Sequence, residues 1–138
     1  MIAHSEWKGS TIFEGIAENG NSIYFDGNPA HSQGPSPMEA VLMALCGCTG
    51  MDVVSILEKK RQPIAGLRVT ATAKQAETAP RVFTAIKLTY AVSGQLDRKA
   101  VEDAVVLSKN KYCSVSRMLE PAAAIEYEIL FADGEPDL

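Results

Sequence analysis

The sequence predicts an α+β fold, with a single domain over residues 1–138 in which antiparallel strands surround one long apolar helix. Three observations predict it. Several segments alternate apolar and polar residues, one capped helix is apolar on all its faces, and a chain of this length suits one hydrophobic core. Alternation with a period of two is typical of strands that bury one face, and an all-round apolar helix is typical of a protein core.

The start of the chain predicts three antiparallel strands. Residues 11–17 and 22–25 alternate apolar and polar side chains, and a shorter segment around Trp7 precedes them. The dipeptide Asn19-Gly20 lies between the two longer segments and is a hairpin signal, since both residues tolerate positive φ.

A helix is expected after the loop that follows these strands. Residues 26–35 are rich in Gly, Pro and Asx and predict that loop. Ser36 then serves as an N-cap, Pro37 takes the first helical position, and Glu39 stands three residues after the cap. This is the pattern of a capping box, and we expect the helix to run to about Lys60.

The first half of this helix is apolar all round. Residues 40–51 carry no charge, so every face needs cover. The stretch has 12 residues, whereas a membrane-spanning helix needs about 20. We therefore predict a core helix and no membrane association.

The second half of the chain predicts three more strands. Residues 67–74 and 82–92 read as an antiparallel pair, and residues 125–131 as the last strand. One sheet of about six strands covers only one side of the helix. A second copy of the chain is the simplest cover for the other side, so we expect a homodimer.

A second helix is predicted between these strands. Asp97 is its expected N-cap, and Val101, Val105 and Leu107 are expected to face inward.

Charge and the first residues of the chain argue against a nucleic-acid-binding protein and against a secreted one. The net charge is −4 and the 13 basic residues are scattered, which argues against a nucleic-acid partner. The first residues lack a basic start followed by an apolar run, so we expect no signal peptide and a cytoplasmic protein.

Of the three cysteines, two lie close together in sequence but on nearly opposite sides of the predicted helix. Cys46 and Cys48 are two apart on the predicted helix and point in nearly opposite directions. The histidines, His4 and His31, are isolated from each other and from the cysteines, so no metal site is expected. We interpret Cys46 as a small core residue.

Cys48 has unusual neighbours. Gly47 and Gly50 flank it, Thr49 supplies a hydroxyl, and Asp52 lies one turn further on. A glycine inside a helix costs about 1 kcal/mol relative to Ala, which suggests close approach by a substrate or another backbone. From these residues alone, simple packing is the favoured reading of Cys48, and a catalytic thiol is the alternative.

Cys113 lies between a helix end and the start of a new helical turn. Lys111 and Arg117 are near it in sequence, and cations and helix-start N–H groups lower the pKa of a thiol. The residues therefore favour a reactive thiol, and a half-buried linker cysteine is the open alternative.

Two segments together resemble the OsmC/Ohr family, in its OsmC-like branch. Residues 34–39 leading into residues 42–54, with Cys48, look like its first cysteine helix, and residues 111–116, with Cys113, look like its second cysteine motif. The spacing of the motifs and the order of the strands also fit the family.

The resemblance implies an OsmC-like fold, an intertwined homodimer whose antiparallel sheets wrap around the paired central helices. It implies that Cys48 attacks an organic hydroperoxide, giving an alcohol and a sulfenic acid, and that Cys113 then forms a disulfide with it. A dithiol such as a lipoyl group would reduce that disulfide, and no cofactor is implied.

The chain departs from the family where the thiol is activated. An arginine held by a glutamate ten residues before the first cysteine does this in the Ohr branch, and here that position is Met38. Glu39 is its neighbour but points about 100° away. Since no arginine precedes Arg61, the resemblance leaves Arg81 or Arg117 as replacements, with Asp52 as a further supporting group.

Two other classes of function compete with a thiol peroxidase. A non-enzymatic dimer could bind a small apolar ligand in a pocket lined by the cysteines. A hydrolase is less favoured, because the sequence has no G-x-S-x-G motif.

Overall fold

A computed structural model describes residues 1–132 of the chain and shows an α+β fold, as the sequence predicts. These 132 residues form six strands, three α-helices and one π-helical turn. The chain forms two compact units, residues 1–43 and the residues from Ala44 onward.

The first unit is an antiparallel sheet in the order β1-β2-β3. Its strands are β1 (Ala3–Trp7), β2 (Ile12–Ala17) and β3 (Ser22–Asp26). Gly20 adopts a φ of 91° in the turn between β2 and β3, and its N–H donates to the carbonyl of Ala17. The hairpin predicted from Asn19-Gly20 is confirmed.

The long helix α1 spans Pro37–Lys59 and opens with the predicted capping box. The Glu39 N–H donates to Ser36 Oγ at 3.1 Å, and the Ser36 N–H donates to Glu39 Oε1 at 3.0 Å. Helix α1 is long and apolar enough to cross a membrane. Core helices of soluble proteins meet the same two criteria.

Residues 1–132 bury one stripe of α1. Leu45, Thr49, Val53 and Leu57 are buried at the i, i+4 spacing of a single helix face. Met51, on another face, is 75% exposed. Packing among residues 1–132 therefore does not explain why the helix is apolar on all its faces.

The second unit contains another three-stranded sheet, in the order β4-β5-β6. Its strands are β4 (Gly66–Gln75), β5 (Phe83–Ser93) and β6 (Ala124–Ala132). The single six-stranded sheet expected above is wrong, since the strands divide between two sheets. The β4–β5 pair is antiparallel as predicted, but β6 pairs parallel to β5.

The parallel pairing follows from the connection between β5 and β6. A parallel neighbour requires a long crossover, and two helices fill it here. These are α2 (Arg98–Leu107) and α3 (Ser114–Leu119), joined by a π-helical turn (Ser108–Tyr112).

Helix α2 begins as predicted. The Asp97 carboxylate accepts the Ala100 N–H at 3.1 Å, and Val101 and Val105 are fully buried. Leu107 is 36% exposed, so its expected inward orientation is wrong. It follows Val105 by two residues, which places it about 200° around the helix.

Substitution of two valines on α2 tests which face of this helix is buried. Val101→Ala should destabilise the protein by about 2 kcal/mol, because it removes buried methyl groups and leaves a cavity. Val106→Ala is the matched control on the same helix, where the side chain is 38% exposed and the expected loss is below about 0.5 kcal/mol. Urea unfolding measures both, and equal losses would contradict the assigned core face.

Candidate functional site

The structure brings the Cys48 and Cys113 side chains together. Cys48 lies on α1 and is half-buried, while Cys113 is the N-cap residue of α3 and is 3% exposed. The two thiols are hydrogen-bonding neighbours. Such a pair can alternate between a dithiol and a disulfide.

The surroundings of Cys113 hold its sulfur in the interior. Its Sγ accepts the Ser116 N–H at 3.4 Å, and its own N–H donates to the Ser108 carbonyl at 2.8 Å. Burial raises the pKa of the Cys113 thiol, the bonds from Ser116 oppose that rise, and the neighbouring Cys48 adds to it. Cys113 is therefore a buried thiol that favours its protonated form.

The expectation that nearby cations lower the pKa of Cys113 is wrong. The Lys111 ammonium lies 5.2 Å from the ring centre of Tyr112. Arg117 donates from a terminal guanidinium nitrogen to the Asn110 carbonyl at 3.1 Å, and its Nε lies 3.7 Å from a Glu120 carboxylate oxygen. Only the helix-start N–H acts as expected, and burial outweighs it.

Cys46 has different neighbours. It is half-buried, burial raises the pKa of its thiol, and a backbone hydrogen bond at Ala71 on β4 opposes that rise. Its side chain lines an apolar groove between α1 and β4, and neither Cys48 nor Cys113 is among the residues that line this groove.

This groove has a volume of about 630 Å³. Apart from its chain neighbours and the nearby backbone of α1, no heavy atom among residues 1–132 lies within 4 Å of a Cβ placed on Gly47, and a Cβ placed on Gly50 would lie at an ordinary contact distance of 3.5 Å from Val69 Cγ2. Among residues 1–132, no other backbone approaches either glycine closely; Gly47 leaves open space in the groove, and Gly50 faces the side chains of Val69 and Leu67. Its lining residues are Cys46, Gly47, Gly50, Met51, Val54, Ser55, Glu58, Leu67 and Val69.

Two other candidates have partners away from the cysteines. Glu39 caps α1, and the Ser36 backbone N–H is the main cause that lowers the pKa of its carboxyl. Arg81 donates from Nε to the Ala76 carbonyl at 3.0 Å, in the turn between β4 and β5. Arg81, like Arg117, is held by a backbone carbonyl.

Asp52 belongs to a chain of hydroxyl groups. It accepts a hydrogen bond from Ser108 Oγ at 2.9 Å. Ser108 Oγ lies 2.7 Å from Thr49 Oγ1, which lies 2.6 Å from the Tyr90 hydroxyl. Burial raises the pKa of Tyr90 to about 12, and charges on Cys113, Cys46 and Asp52 add to the rise.

Sequence reasoning singled out Thr49 and Asp52 but missed Ser108 and Tyr90. Thr49 and Asp52 lie within four positions of Cys48 on the same predicted helix, so the sequence itself places them near the cysteine. Ser108 and Tyr90 join them only through the tertiary fold, and no local pattern marks either one.

Among the residues that the structure describes, no group of three or more His, Cys, Asp and Glu side chains is placed to hold a metal ion. The chemistry available at this site is that of thiols, hydroxyls and one carboxylate.

Comparison with known sequences gives a family and several relatives. The sequence model of the OsmC-like protein family matches residues 30–128. Protein YhfA of Escherichia coli strain K12 is 46% identical over 135 residues, which cover 96% of this chain and 100% of that protein. The protein of the same name from Shigella flexneri matches to the same extent.

Solved structures show the same fold. A protein from Aquifex aeolicus VF5 is 29% identical, with a TM-score of 0.83 over 99% of this chain and 97% of that chain. The OsmC-like protein from Mycoplasma pneumoniae is 14% identical, with a TM-score of 0.84 over 95% of this chain and 96% of that chain. The organic hydroperoxide resistance protein OhrB of Bacillus subtilis is 14% identical, with a TM-score of 0.68 over 94% of this chain and 98% of that chain.

Proposed function

The chain belongs to the OsmC-like protein family, and from this premise we propose that it is a thiol peroxidase that reduces organic hydroperoxides in defence against oxidative stress. The observation that carries the proposal is the hydrogen-bonding contact between Cys48 and Cys113. The fold shared with an organic hydroperoxide resistance protein supports the class of substrate.

The reaction proceeds in three steps. The Cys48 thiolate attacks the terminal oxygen of the hydroperoxide, the O–O bond breaks, and the alcohol leaves after taking a proton, so that Cys48 becomes a sulfenic acid. The Cys113 thiol then attacks the Cys48 sulfur, which releases water and forms a disulfide. A dithiol such as a lipoyl group reduces this disulfide and is itself oxidised.

Burial supports this order of the two cysteines. Cys48 is half-buried and can be reached by a small substrate, whereas Cys113 is 3% exposed. A resolving thiol needs to reach only its partner, and a buried position protects it from direct oxidation.

We propose further that the protein is a homodimer and works in the cytoplasm. The support for the dimer is the uncovered part of α1, where Met51 is 75% exposed and borders an apolar groove. The three cysteines are all free, which suits a reducing compartment.

A titration of free thiols tests the proposed reaction. Cumene hydroperoxide is added to the reduced protein, and the thiols that remain are counted with a chromogenic disulfide. We expect a loss of two thiols per chain, because each turnover closes one disulfide. A full complement of thiols after exposure would contradict the peroxidase.

The second candidate function is a binding protein for a small apolar ligand. The groove of about 630 Å³ beside Cys46 favours it. Unchanged thiols in the titration, together with saturable binding of a fluorescent fatty acid, would support this function instead.

Cys46 should be dispensable for the chemistry. We expect Cys46→Ala to consume cumene hydroperoxide at the wild-type rate within about twofold, since its side chain faces the groove and the substitution changes one small, half-buried group. Coupled peroxide consumption with a dithiol reductant measures this rate. If activity disappeared while the circular dichroism spectrum was preserved, the assignment of Cys46 and Cys48 to different faces of α1 would be wrong.

A further inference from the structure

Ser108 joins the two segments that carry the cysteine pair. Its hydroxyl donates to the Asp52 carboxylate at 2.9 Å and lies 2.7 Å from Thr49 Oγ1. Because its single proton is given to Asp52, the Thr49 hydroxyl must be the donor in the second bond. Both partners lie on α1, one and four positions after Cys48. The Ser108 hydroxyl is therefore held at two points on the helix that carries the first cysteine.

The carbonyl of Ser108 holds the second cysteine. It accepts the Cys113 N–H at 2.8 Å, the bond from five positions further along the chain that closes the π-helical turn. In an α-helix this carbonyl would accept the Tyr112 N–H instead, so the turn contains one extra residue. At Cys113 the backbone becomes extended, with φ of −74° and ψ of 104°, and α3 begins from it. The turn thus determines where Cys113 leaves the helix.

The π-helical turn is anchored by a contact that is distant in sequence. Serine side chains in helices commonly bond a carbonyl of their own segment. Ser108 is fully buried, and its hydroxyl instead bonds residues 56 and 59 positions away. A buried hydroxyl that finds both partners on one facing helix fixes its position against that helix. Single π-helical turns of this kind are rare and are frequent at functional sites.

Ser116 orients Cys113 within its own segment. The Ser116 N–H donates to Cys113 Sγ at 3.4 Å, and Ser116 Oγ donates to the Cys113 carbonyl at 3.1 Å. Both bonds join residues three positions apart, so they leave the segment free to shift as a unit against α1. The bonds of Ser108 to α1 oppose that shift.

We propose that Ser108 is a positioning residue that keeps Cys113 within reach of Cys48. Its hydroxyl clamps the π-helical turn to Thr49 and Asp52, and its carbonyl holds the Cys113 backbone. The proposal rests on the redox function proposed for the pair. A high effective concentration of one thiol at the other favours the disulfide over the dithiol. Loss of the clamp should therefore make the disulfide easier to reduce.

The experiment measures the equilibrium between this disulfide and dithiothreitol in a Cys46→Ala parent protein. Two protons and two electrons pass from the cysteine pair to oxidised dithiothreitol, which becomes the reduced dithiol, so the ratio of the four species gives one equilibrium constant. Acid quenching, alkylation of free thiols and mass spectrometry count the oxidised and reduced protein. No peroxide is needed, so the measurement does not depend on the proposed peroxidase reaction.

Each variant removes or keeps one part of the clamp. Ser108→Ala removes both hydroxyl bonds. Thr49→Val removes one donor at nearly constant shape, and Thr49→Ser retains it. Asp52→Ala removes the acceptor, and Asp52→Asn retains one. Val101→Ala is the control for a general loss of stability, because Val101 is fully buried on α2 and its apolar side chain takes no part in the clamp.

We expect Ser108→Ala to lower the equilibrium constant for the disulfide by about tenfold or more, which makes the potential less negative by about 30 mV or more. Thr49→Val and Asp52→Ala should lower it by about threefold or more, since each leaves one bond of the clamp. Thr49→Ser, Asp52→Asn and Val101→Ala should stay within about twofold of the parent. A loss of stability that the oxidised and reduced proteins share cancels in this constant.

The clamp is overturned if all three disruptive variants stay within about twofold of the parent, or if Val101→Ala lowers the constant as much as they do. Thr49→Val and Asp52→Ala decide if Ser108→Ala does not fold. A disulfide that forms with oxidised dithiothreitol but not with cumene hydroperoxide would refute the peroxidase and leave the clamp to be judged by these constants. Absence of a disulfide between Cys48 and Cys113 under both oxidants would overturn both proposals.

Discussion

Cys48→Ser should abolish the consumption of organic hydroperoxide, whereas Cys113→Ser should consume the first equivalent per chain in a single round and then fail to turn over. Removal of the nucleophile prevents the first step, while removal of the resolving thiol prevents only closure of the disulfide. The measurements are the amount of cumene hydroperoxide consumed per chain and the mass of the peptide that contains residue 48. In the Cys113→Ser protein this peptide should carry a sulfenic acid.

Additional peroxide should push that sulfenic acid to sulfinic acid, because its resolving partner is gone. Cys46→Ala is the matched control, as it removes a cysteine from the same helix and should show none of these changes. Oxidation that begins on Cys113 in the Cys48→Ser protein at the wild-type rate would reverse the two roles. The structure opposes that reversal, because Cys113 is 3% exposed and burial raises the pKa of its thiol.

Local signals in the sequence predicted the local structure well. The capping box at Ser36, the hairpin at Gly20 and the cap at Asp97 are each formed by residues at most four positions apart. Interactions of this kind depend on backbone geometry that adjacent residues determine themselves. This dependence on adjacent residues explains why all three local predictions are confirmed.

The arrangement of the strands was not predictable in the same way. The alternation in residues 125–131 shows a strand but contains nothing that specifies its neighbour or its direction. The strand Ala124–Ala132 pairs parallel to Phe83–Ser93 because of the helices between them. Direction and sheet membership are properties of the whole topology, and the sequence alone led to one antiparallel sheet.

The same limit applies to the site. The resemblance identified Cys48 and Cys113, but their sequence neighbours misled about the pKa of Cys113. Lys111 and Arg117 are close in sequence, yet their cationic groups are engaged elsewhere. Charge in a sequence window affects a thiol only where side-chain geometry brings it near the sulfur.

The hydroxyl chain shows how far a site can extend beyond sequence patterns. Thr49 meets Tyr90 across 41 positions and Ser108 across 59 positions, and none of these residues belongs to a recognisable motif with its partner. Ser, Thr and Tyr are common residues, and the role of each hydroxyl depends on its contacts in the tertiary structure. Only the tertiary structure could supply this part of the site.

The second large effect concerns the assembly. We expect the wild-type protein to sediment as a dimer at micromolar concentration, and Met51→Glu to sediment as a monomer. Met51 is 75% exposed on a helix that carries no charge over residues 40–51, and it borders the apolar groove. A carboxylate placed there would lose its hydration without gaining a partner if a second chain covered the groove.

Val106→Glu is the control for this substitution. It adds the same charge to an apolar side chain that is 38% exposed on α2 and does not line the groove, so the dimer should survive. A wild-type protein that remained a folded monomer at micromolar concentration would contradict the proposal directly. The apolar faces of α1 would then be exposed to water in the native state, which the hydrophobic effect disfavours for a contiguous apolar surface of this kind.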